Sequence, residues 1–354
     1  MQQIEEIIQE FEKGLKKEGD PFVKKFLNQY KEHPEFESLL KEVIQVYSRY
    51  KGINPEKGLK FILDRAEKKL LKQLQKKMDE VHSLMENQKW EEALSIVDSL
   101  LEKATLIGLQ PNQGLYAIPN FVQETLFSHY VQPDHYEIVF YPMDELYNTK
   151  AFILLNEKKF AESKENFEKA LQWNPVHFRA LNGVMITSLQ VGDEETYANC
   201  LKKMHQYVTD RTEQSIYCEK LALSFLQKNQ VKEAVVTFNV GLAWNPNYQG
   251  NIMGLKNLEQ EGIQPFNQEE MNATLVENQF LLQPCQETIE VLREKANFYE
   301  EKKNKDGAKE IYTALYTWLQ DEDSKKKLDK EKAKKQKKSL KKKKKAQKKL
   351  HKKK

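Results

Sequence analysis

The side chains that could carry catalysis or bind a metal are few and poorly spaced. His129 and His135 are six residues apart in a Pro-rich stretch, so they do not share a helix face, and no HExxH or paired CxxC motif occurs. GxxxxGK[ST] and GxGxxG phosphate loops are also missing from the sequence. Cys200 and Cys218 fall where small apolar residues are wanted, and nothing supports a nucleophilic role. We therefore expect no enzyme, no metal, no cofactor and no small-molecule substrate.

The lysine-rich C-terminus offers a different chemistry, which is attraction for polyanions. Residues 325–354 hold 19 lysines against Asp329 and Glu331, which gives +17. The whole chain carries +4, so the remainder carries 4 − 17 = −13. A run of this kind attracts RNA, DNA, anionic lipid or an acidic protein. Its densest part is Lys341, Lys342, Lys343, Lys344 and Lys345.

Several interpretations of this tail stay open. It has no aromatic residue, so base stacking and sequence-selective RNA recognition are not predicted. Like-charge repulsion and the lack of apolar residues predict a disordered or loosely helical segment. The tail could anchor the chain to RNA or ribosomes, act only as a solubilising segment, or fold back on the acidic body.

Cysteine content and hydropathy indicate the compartment. Three cysteines, an odd number without CxxC pairing, favour a reducing environment. The acidic, amphipathic N-terminus lacks the basic and apolar regions of a secretory signal. No apolar run approaches the roughly 18 to 20 residues that a membrane helix needs. We expect a cytoplasmic protein without a transmembrane segment.

Helical periodicity and composition divide the chain into five segments. The segments are residues 1–104, 105–142, 143–262, 263–322 and 323–354. The first is helical and the second is an insert with many aromatics, four prolines and no Lys or Arg. Because a stretch of this composition is unsuited to solvent, we expect it to pack along the helical body, with a helix near 120–130 and extended chain at 136–141. Helices return in the third segment, a linker and a helical pair follow, and the tail ends the chain.

A repeated phrase identifies the period of the third segment. Ala-Leu-Gln-Trp-Asn-Pro at 170–175 recurs as Gly-Leu-Ala-Trp-Asn-Pro at 241–246, a separation of 71 residues. Two 34-residue units and three extra residues account for that spacing. Small residues let two helices cross closely, bulky ones fill the hollows between units, and Pro ends the second helix.

This pattern resembles the tetratricopeptide repeat. Counted from Asp144, the first unit places Ala151 at position 8, Phe167 at 24 and Pro175 at 32. A weaker unit starts at Phe178 with Gly192 at the turn position 15, and a third starts at Ser215. Degenerate units begin near Leu74 and Ile289. The arrangement also resembles bacterial proteins of this family without an assigned activity, which have a KAL-x-WNPV junction after an aromatic, Pro-rich segment.

The resemblance implies an all-α, right-handed superhelix of antiparallel helix pairs that binds a protein or peptide partner. In this family, peptides contact the first helix of each unit at positions 2, 5, 9, 12 and 13. The principal candidates carried over are Asn148, Phe152, Asn156, Arg179, Asn182, Ile186, Gln190, Glu219, Leu223 and Gln227. Their amides suit the donors and acceptors of an extended backbone. Alternatively, these residues pack against the insert or a neighbouring helix.

One subtype of the family is not matched. Members that bind the carboxylate of a chaperone tail hold it with Lys and Asn side chains at fixed positions. The corresponding positions here are Asn148, Phe152 and Gly183, with Ile186 beyond them. We therefore expect a different ligand.

Overall fold

The structure is a computed structural model that describes residues 2–30, 36–51, 72–106, 114–139, 141–263 and 266–333. The described residues are almost entirely helical, which confirms the all-α prediction. None of their helices is both long and apolar enough to cross a membrane. The chain divides into two compact units, Met1–Ile96 and Val97–Lys354. The five predicted segments are a finer division and stay a prediction.

The described part of the first unit contains four helices and the beginning of a fifth. The four are α1 (Gln2–Glu18), α2 (Asp20–Tyr30), α3 (Phe36–Lys51) and α4 (72–86). Phe11 and Phe26 are fully buried between the first helices, with ring centres 4.7 Å apart. α2 carries Pro21 in its first turn, where a missing N–H leaves no helical bond unmade. Residues 52–71, which precede α4 in the first predicted helical segment, lie outside the described residues.

The remaining elements of the described residues are helices and two short strands. They are α5 (Trp90–Leu106), β1 (Leu115–Tyr116), α6 (Phe121–Tyr130), β2 (Glu137–Ile138), α7 (Met143–Asn156), α8 (Phe160–Trp173), α9 (Phe178–Val191), α10 (Glu194–Tyr207), α11 (Arg211–Gln227), α12 (Val231–Trp244), α13 (Gln249–Gln260), α14 (Gln268–Glu277), α15 (Gln279–Leu282), α16 (Gln286–Glu301), α17 (Lys305–Leu319) and α18 (322–333). Helix α5 begins in the first unit and ends in the second.

One turn recurs inside every predicted repeat unit. Position 15 adopts the left-handed conformation in all five units, at Gln88 (φ 57), Lys158 (φ 61), Gly192 (φ 75), Asn229 (φ 58) and Lys303 (φ 60). In all five, the N–H at position 16 donates to the carbonyl at position 11, as Lys159 does to Leu154 over 2.9 Å. The two degenerate units therefore share the local geometry of the clear ones.

Small residues lie where the paired helices cross. Ala151 on α7 and Ala170 on α8 have no exposed surface, and Ser163 donates from Oγ to the carbonyl of Ala151 over 2.8 Å. Ala222 and Ala234 are likewise fully buried in the pair α11–α12. Close approach at these points lets the bulkier side chains fill the space between units, as the repeat pattern predicts.

Helix α13 adds a first helix of a fourth consecutive unit, which the sequence analysis missed. It contacts both α11 and α12, and α14 returns against α12. Gly254 faces the Phe238 ring so closely that a Cβ there would lie 2.4 Å from Cζ. Gly183 faces Phe167 in the same way, with a Cβ distance of 2.3 Å to Cζ. The packing of a glycine against a phenylalanine ring of the preceding unit thus recurs at α13.

The insert packs between the repeats and the C-terminal pair α16–α17. Ile118, Val122, Leu126 and Phe127 belong to the core of the second unit, as the sequence predicted for this segment. α6 begins after Asn120, whose Oδ1 accepts the N–H of Gln123 over 2.8 Å. β1 and β2 pair in parallel, with Leu115 opposite Glu137.

The beginning of the lysine-rich segment is a packed helix. α18 places Ser324 almost fully inside (2% exposed) and Leu328 against the core. Lys327 pairs with Glu300, and its Nζ lies 5.7 Å from the ring centre of Tyr312. The tail was expected to be disordered or loosely helical, but α16 and α17 supply the apolar surface on which its first residues pack.

Candidate functional site

The predicted binding residues lie on the first helices of consecutive units. We call the set at positions 2, 5, 9, 12 and 13 of α7, α9 and α11 the A-helix face. Positions four and eight apart share one side of a helix, so each helix presents them together. α7 contacts α9, and α11 contacts α13, whereas α9 and α11 make few direct contacts. The structure therefore brings together the candidates of the first two units and places Glu219, Leu223 and Gln227 on the next pair.

The centre of the A-helix face is apolar and partly open. Phe152 is 44% exposed, and Ile186 and Leu223 occupy the same position 9 with partly buried side chains. Exposed amides flank this row at position 13, at Asn156, Gln190 and Gln227. Position 9 is therefore apolar in all three units, with one of its side chains exposed and two partly accessible.

Position 5 is less accessible than the sequence suggested. Asn148 is only 7% exposed, so little of its amide can reach a partner. Asn182 is partly buried, and its Oδ1 has no hydrogen-bond partner among the described residues. At position 13, Asn156 donates from Nδ2 to the carbonyl of Phe152 over 2.8 Å, which leaves its Oδ1 as the acceptor.

The charges on the face are paired within the chain. Arg179 donates to Glu145 over 3.4 Å, and His177 Nε2 lies 3.3 Å from the other oxygen of Glu145. Glu219 accepts the hydroxyl of Tyr248 over 2.7 Å and pairs with Lys220 at 3.0 Å. Burial and the Glu219 carboxylate raise the pKa of Tyr248, so it stays a donor. The face therefore presents no strong net charge to a ligand.

A buried polar network fixes the start of α9. His177 accepts the N–H of Ala180 at Nδ1 over 3.1 Å, so Nε2 carries the proton that points to Glu145. Asn174 donates from Nδ2 to Asp144 over 2.8 Å and to Gln123 over 2.7 Å. Burial raises the pKa of Asp144, against the opposing effects of His177 and Asn174. His177 therefore caps the N-terminus of α9 with its side chain.

The described part of the insert does not bond to the candidate residues of the A-helix face. Its hydrogen bonds go to the ends of the second helices and to the C-terminal pair, as when Ala117 N–H donates to Trp173 O over 2.9 Å. Tyr130 bonds Thr288 over 2.8 Å, and Thr288 donates to Gln206 O over 2.6 Å. Residues 107–113 and 140 of the insert lie outside the described residues.

The other candidate residues have ordinary structural surroundings. His129 pairs with Glu287 at 2.8 Å. Burial raises the pKa of the Cys200 thiol to about 11 and that of Cys218 to about 12, which disfavours the thiolate of either. The described residues contain no group of three or more metal-ligating side chains. Lys341, Lys342, Lys343, Lys344 and Lys345 lie outside the described residues.

Two further features escaped the sequence analysis. Asn267 and Glu270 form a capping box at the start of α14, a signal that the N-x-x-E spacing could have given. Arg211 lies over the Trp244 ring at 5.1 Å and donates to the carbonyls of Trp244 and Ala243, both over 3.1 Å. It closes the C-terminal end of α12, where carbonyls have no helical partner.

Comparison with known proteins supports the repeat assignment. Residues 144–177, which span α7, α8 and the turn to α9, match the family model of the tetratricopeptide repeat. No curated protein matches the chain. The match coincides with the unit that has the most complete pattern of small and aromatic residues. The chain is therefore a tetratricopeptide-repeat-containing protein, with the matched repeat at residues 144–177.

Proposed function

We propose that the chain is a non-catalytic cytoplasmic scaffold whose A-helix face binds an extended segment of a protein partner. The observation that carries this proposal is the open apolar row at position 9, in which Phe152 is 44% exposed. Burying such a side chain against a partner contributes on the order of 1 to 2 kcal/mol. The amides beside the row supply donors and acceptors for a peptide backbone.

The partner segment is apolar and close to neutral. Glu145 and Glu219 already have partners within the chain, so no unpaired carboxylate calls for a basic ligand. The only basic candidate at these positions, Arg179, faces Glu145. Binding to the A-helix face should accordingly change little between low and moderate salt, because few charges cross the interface.

A matched pair of substitutions tests this function. Phe152→Ser removes the exposed ring on α7, and Phe298→Ser removes an equally exposed ring, at 45%, on α16. Partners captured by the tagged full chain from its native cell are quantified by mass spectrometry for both variants. The proposal expects specific partners to be lost with Phe152→Ser and retained with Phe298→Ser. Equal capture by both variants, with unchanged helicity, would count against the A-helix face.

A second candidate function is attachment to a polyanion through the C-terminus. Lys326, Lys327 and Lys330 of α18 line a cleft of about 560 Å³ together with Arg293, which adds folded cationic surface to the lysine run. RNA, or the ribosome through its RNA, would be held by phosphate contacts that weaken steeply as salt rises. Asp321 and Asp323 line the same cleft and reduce its net charge.

The two functions separate in one comparison. The full chain and a chain ending after residue 333 are tested for co-sedimentation with ribosomes and for capture of the protein partner. Loss of the first with retention of the second supports separable roles. If co-sedimentation survives the truncation and is insensitive to salt, the lysine run is not the attachment site.

A further inference from the structure

The cleft between α16 and α18 brings several cationic side chains to one place. It has a volume of about 560 Å³, and Asn297 and Tyr312 contribute polar groups to its lining. Its charged lining residues are the basic Arg293, Lys326, Lys327 and Lys330 and the acidic Asp321 and Asp323. Their charges sum to 4 − 2 = +2. We call this surface the α18 cleft.

Two ion pairs hold α18 beside α16. Arg293 on α16 donates to Asp321, which precedes α18, over 2.7 Å, and Lys327 on α18 pairs with Glu300 on α16. Because the two pairs follow one another in the same order along both helices, α18 and α16 run in the same direction. Leu328 of α18 also packs against the core. The fold thus holds the cationic groups of the cleft in fixed relative positions.

The carboxylates that line the α18 cleft are already engaged. One oxygen of Asp321 accepts from Arg293, and the other accepts the N–H of Ser324 over 2.8 Å. Asp323 pairs with Lys326 over 3.1 Å, and its side chain is 89% exposed, so water screens its charge. Neither carboxylate is therefore a strong obstacle to an incoming anion.

The donors of the cleft are less fully used than its acceptors. Among the residues that the structure describes, Lys330 forms no hydrogen bond or ion pair, and Arg293 donates from Nη2 alone. Asn297 accepts the hydroxyl of Tyr312 at Oδ1 over 2.9 Å, and its Nδ2 donates to no described residue. A guanidinium, an ammonium and an amide N–H without acceptors suit an anionic ligand.

The arrangement of charge indicates how many charges the ligand carries. Lys326 and Lys330 are four residues apart on α18, a spacing at which like charges face each other and destabilise a helix. An anion between α18 and α16 would remove this repulsion. A phosphate monoester carries close to two negative charges near pH 7, which balances the lining, and its three free oxygens can accept from donors on different helices. A carboxylate has one charge and two oxygens in one plane.

We propose that the α18 cleft binds a phosphate group with two negative charges, as found in a phosphate monoester or a polyphosphate. Arg293, Asn297 and Lys330 donate to its oxygens, and Lys326 adds positive charge. The proposal deepens the second candidate function and rests on its premise that the C-terminus binds anions. It is more specific, because a phosphate inside an RNA strand carries only one charge.

Isothermal titration of the full chain with inorganic pyrophosphate tests the proposal. The titration is made at about 0.2 M salt, which weakens non-specific binding by the lysine run. We expect one saturable site per chain, because the cleft is a single folded site. Circular dichroism checks that every variant keeps the helicity of the unmodified protein.

Two pairs of lysines provide a matched comparison. Lys326→Gln/Lys330→Gln removes two charges from the α18 cleft, and Lys202→Gln/Lys203→Gln removes two from the exposed side of α10. Pyrophosphate should bind about tenfold more weakly to the first variant and unchanged to the second.

Asn297→Asp tests the cleft without changing any lysine. The substitution keeps the shape of the exposed side chain but replaces its N–H donor with a carboxylate oxygen. Pyrophosphate should bind at least about tenfold more weakly, because the ligand loses a donor and meets a negative charge.

Two RNA probes identify the source of the phosphate. One oligonucleotide carries a 5′-phosphate, and the other has the same sequence with a 5′-hydroxyl. A preference of about tenfold for the first, lost in Asn297→Asp, would assign the site to an RNA end. Equal binding of both, with pyrophosphate binding retained, would assign it to a small phosphorylated compound.

Three outcomes would overturn the proposal. The first is the absence of a saturable pyrophosphate site, and the second is a site that is unchanged in both cleft variants. The third is equal weakening by the α18 and α10 lysine pairs, which would show non-specific attraction. Ribosome co-sedimentation is a separate readout, so its failure with pyrophosphate binding intact would contradict attachment to RNA and leave the phosphate site standing.

Discussion

Trp173 and Trp244 occupy the same place in a duplicated phrase, yet their surroundings differ. Trp173 has no exposed surface, and the insert closes over it through the bond from Ala117 N–H to its carbonyl. Trp244 is partly exposed and is covered by Arg211. The Oδ1 of each asparagine accepts the N–H two residues later, but Asn174 is fully buried and also donates to Asp144 and Gln123, whereas Asn245 is partly exposed. The repeated hexapeptide determines the local turn, whereas the elements packed against each copy determine how far its side chains are buried.

What the two copies share is local. Asn174 N–H donates to Ala170 O over 2.9 Å, and Asn245 N–H donates to Gly241 O over 3.0 Å. Ten residues after each tryptophan, a glycine allows the ring of the preceding unit to approach, Gly183 for Phe167 and Gly254 for Phe238. The backbone hydrogen bond and the glycine–phenylalanine packing both join residues at a fixed separation in the sequence. Differences in stability between matched substitutions in the two copies will therefore measure what the insert contributes.

Replacing the two tryptophans should give the largest contrast. Trp173→Ala empties a fully buried site and should lower the free energy of unfolding by about 3–5 kcal/mol. Trp244→Ala removes a partly exposed ring and its cation–π contact and should lower it by roughly 1 kcal/mol. Urea denaturation of both variants, followed by circular dichroism, makes the comparison. Equal losses would show that the insert does not seal the first copy.

The asparagines beside them should show the next largest contrast. Asn174→Ala removes the side-chain donor to the buried Asp144 and should cost about 2–3 kcal/mol. Asn245→Ala removes one bond in a partly exposed turn and should cost about 0.5 kcal/mol. The same denaturation series measures both. A cost at position 245 that matches or exceeds the cost at 174 would contradict the network described around Asp144.

The junction between α10 and α11 lacks the repeated hexapeptide, and its contribution to stability should depend on pH. Burial raises the pKa of Glu213 to about 7, from an unfolded value of about 4.3. The folded state binds the proton more tightly, so this contribution is fully present below about pH 4.3 and lost as the pH rises to about 7. Glu213→Gln should therefore raise Tm at pH 8, by an amount equivalent to about 2 kcal/mol, and leave it nearly unchanged at pH 4. A gain at pH 4 as large as that at pH 8 would rule out the charge as the cause.

The contact of Arg211 with Trp244 should give the smallest effect. Arg211→Ala should lower the free energy of unfolding by about 0.5–1 kcal/mol, because it removes the stacked guanidinium and two bonds to the end of α12. In a Trp244→Ala background the loss should shrink, which a double-mutant cycle by denaturation detects. An undiminished loss would mean that the bonds to the carbonyls of Ala243 and Trp244, and not the ring, account for it.

The sequence predicted the parts of the fold that depend on residue size at fixed spacing. Ala151, Ala170, Ala222 and Ala234 are at the helix crossings because only small side chains fit there. The turn at Gly192 was readable, since glycine favours positive φ, but the same turn at Lys158 and Lys303 was not. The repeat unit that begins with α13 was missed because Lys256 replaces the small residue at its position 8.

Tertiary contacts account for what the sequence did not predict in the site. Phe152 was a candidate and is exposed, but Asn148 is almost fully buried by neighbouring helices. The packing of α18 depends on an apolar surface that α16 and α17 provide, so tail composition alone gave no sign of it. A cleft of about 660 Å³ is lined by residues of α6, α11 and α17, which lie far apart in the sequence. A local sequence pattern does not predict that residues so far apart in the chain lie close together.

Hydroxyl-radical footprinting of the unmodified protein tests the central comparison most directly. Mass spectrometry measures the oxidation rate of each tryptophan in the native full chain. We expect Trp244 to be oxidised readily and Trp173 to be protected to the same degree as Trp318, which is also fully buried. Oxidation of Trp173 at the rate of Trp244 would contradict the claim that the insert seals the first copy of the phrase.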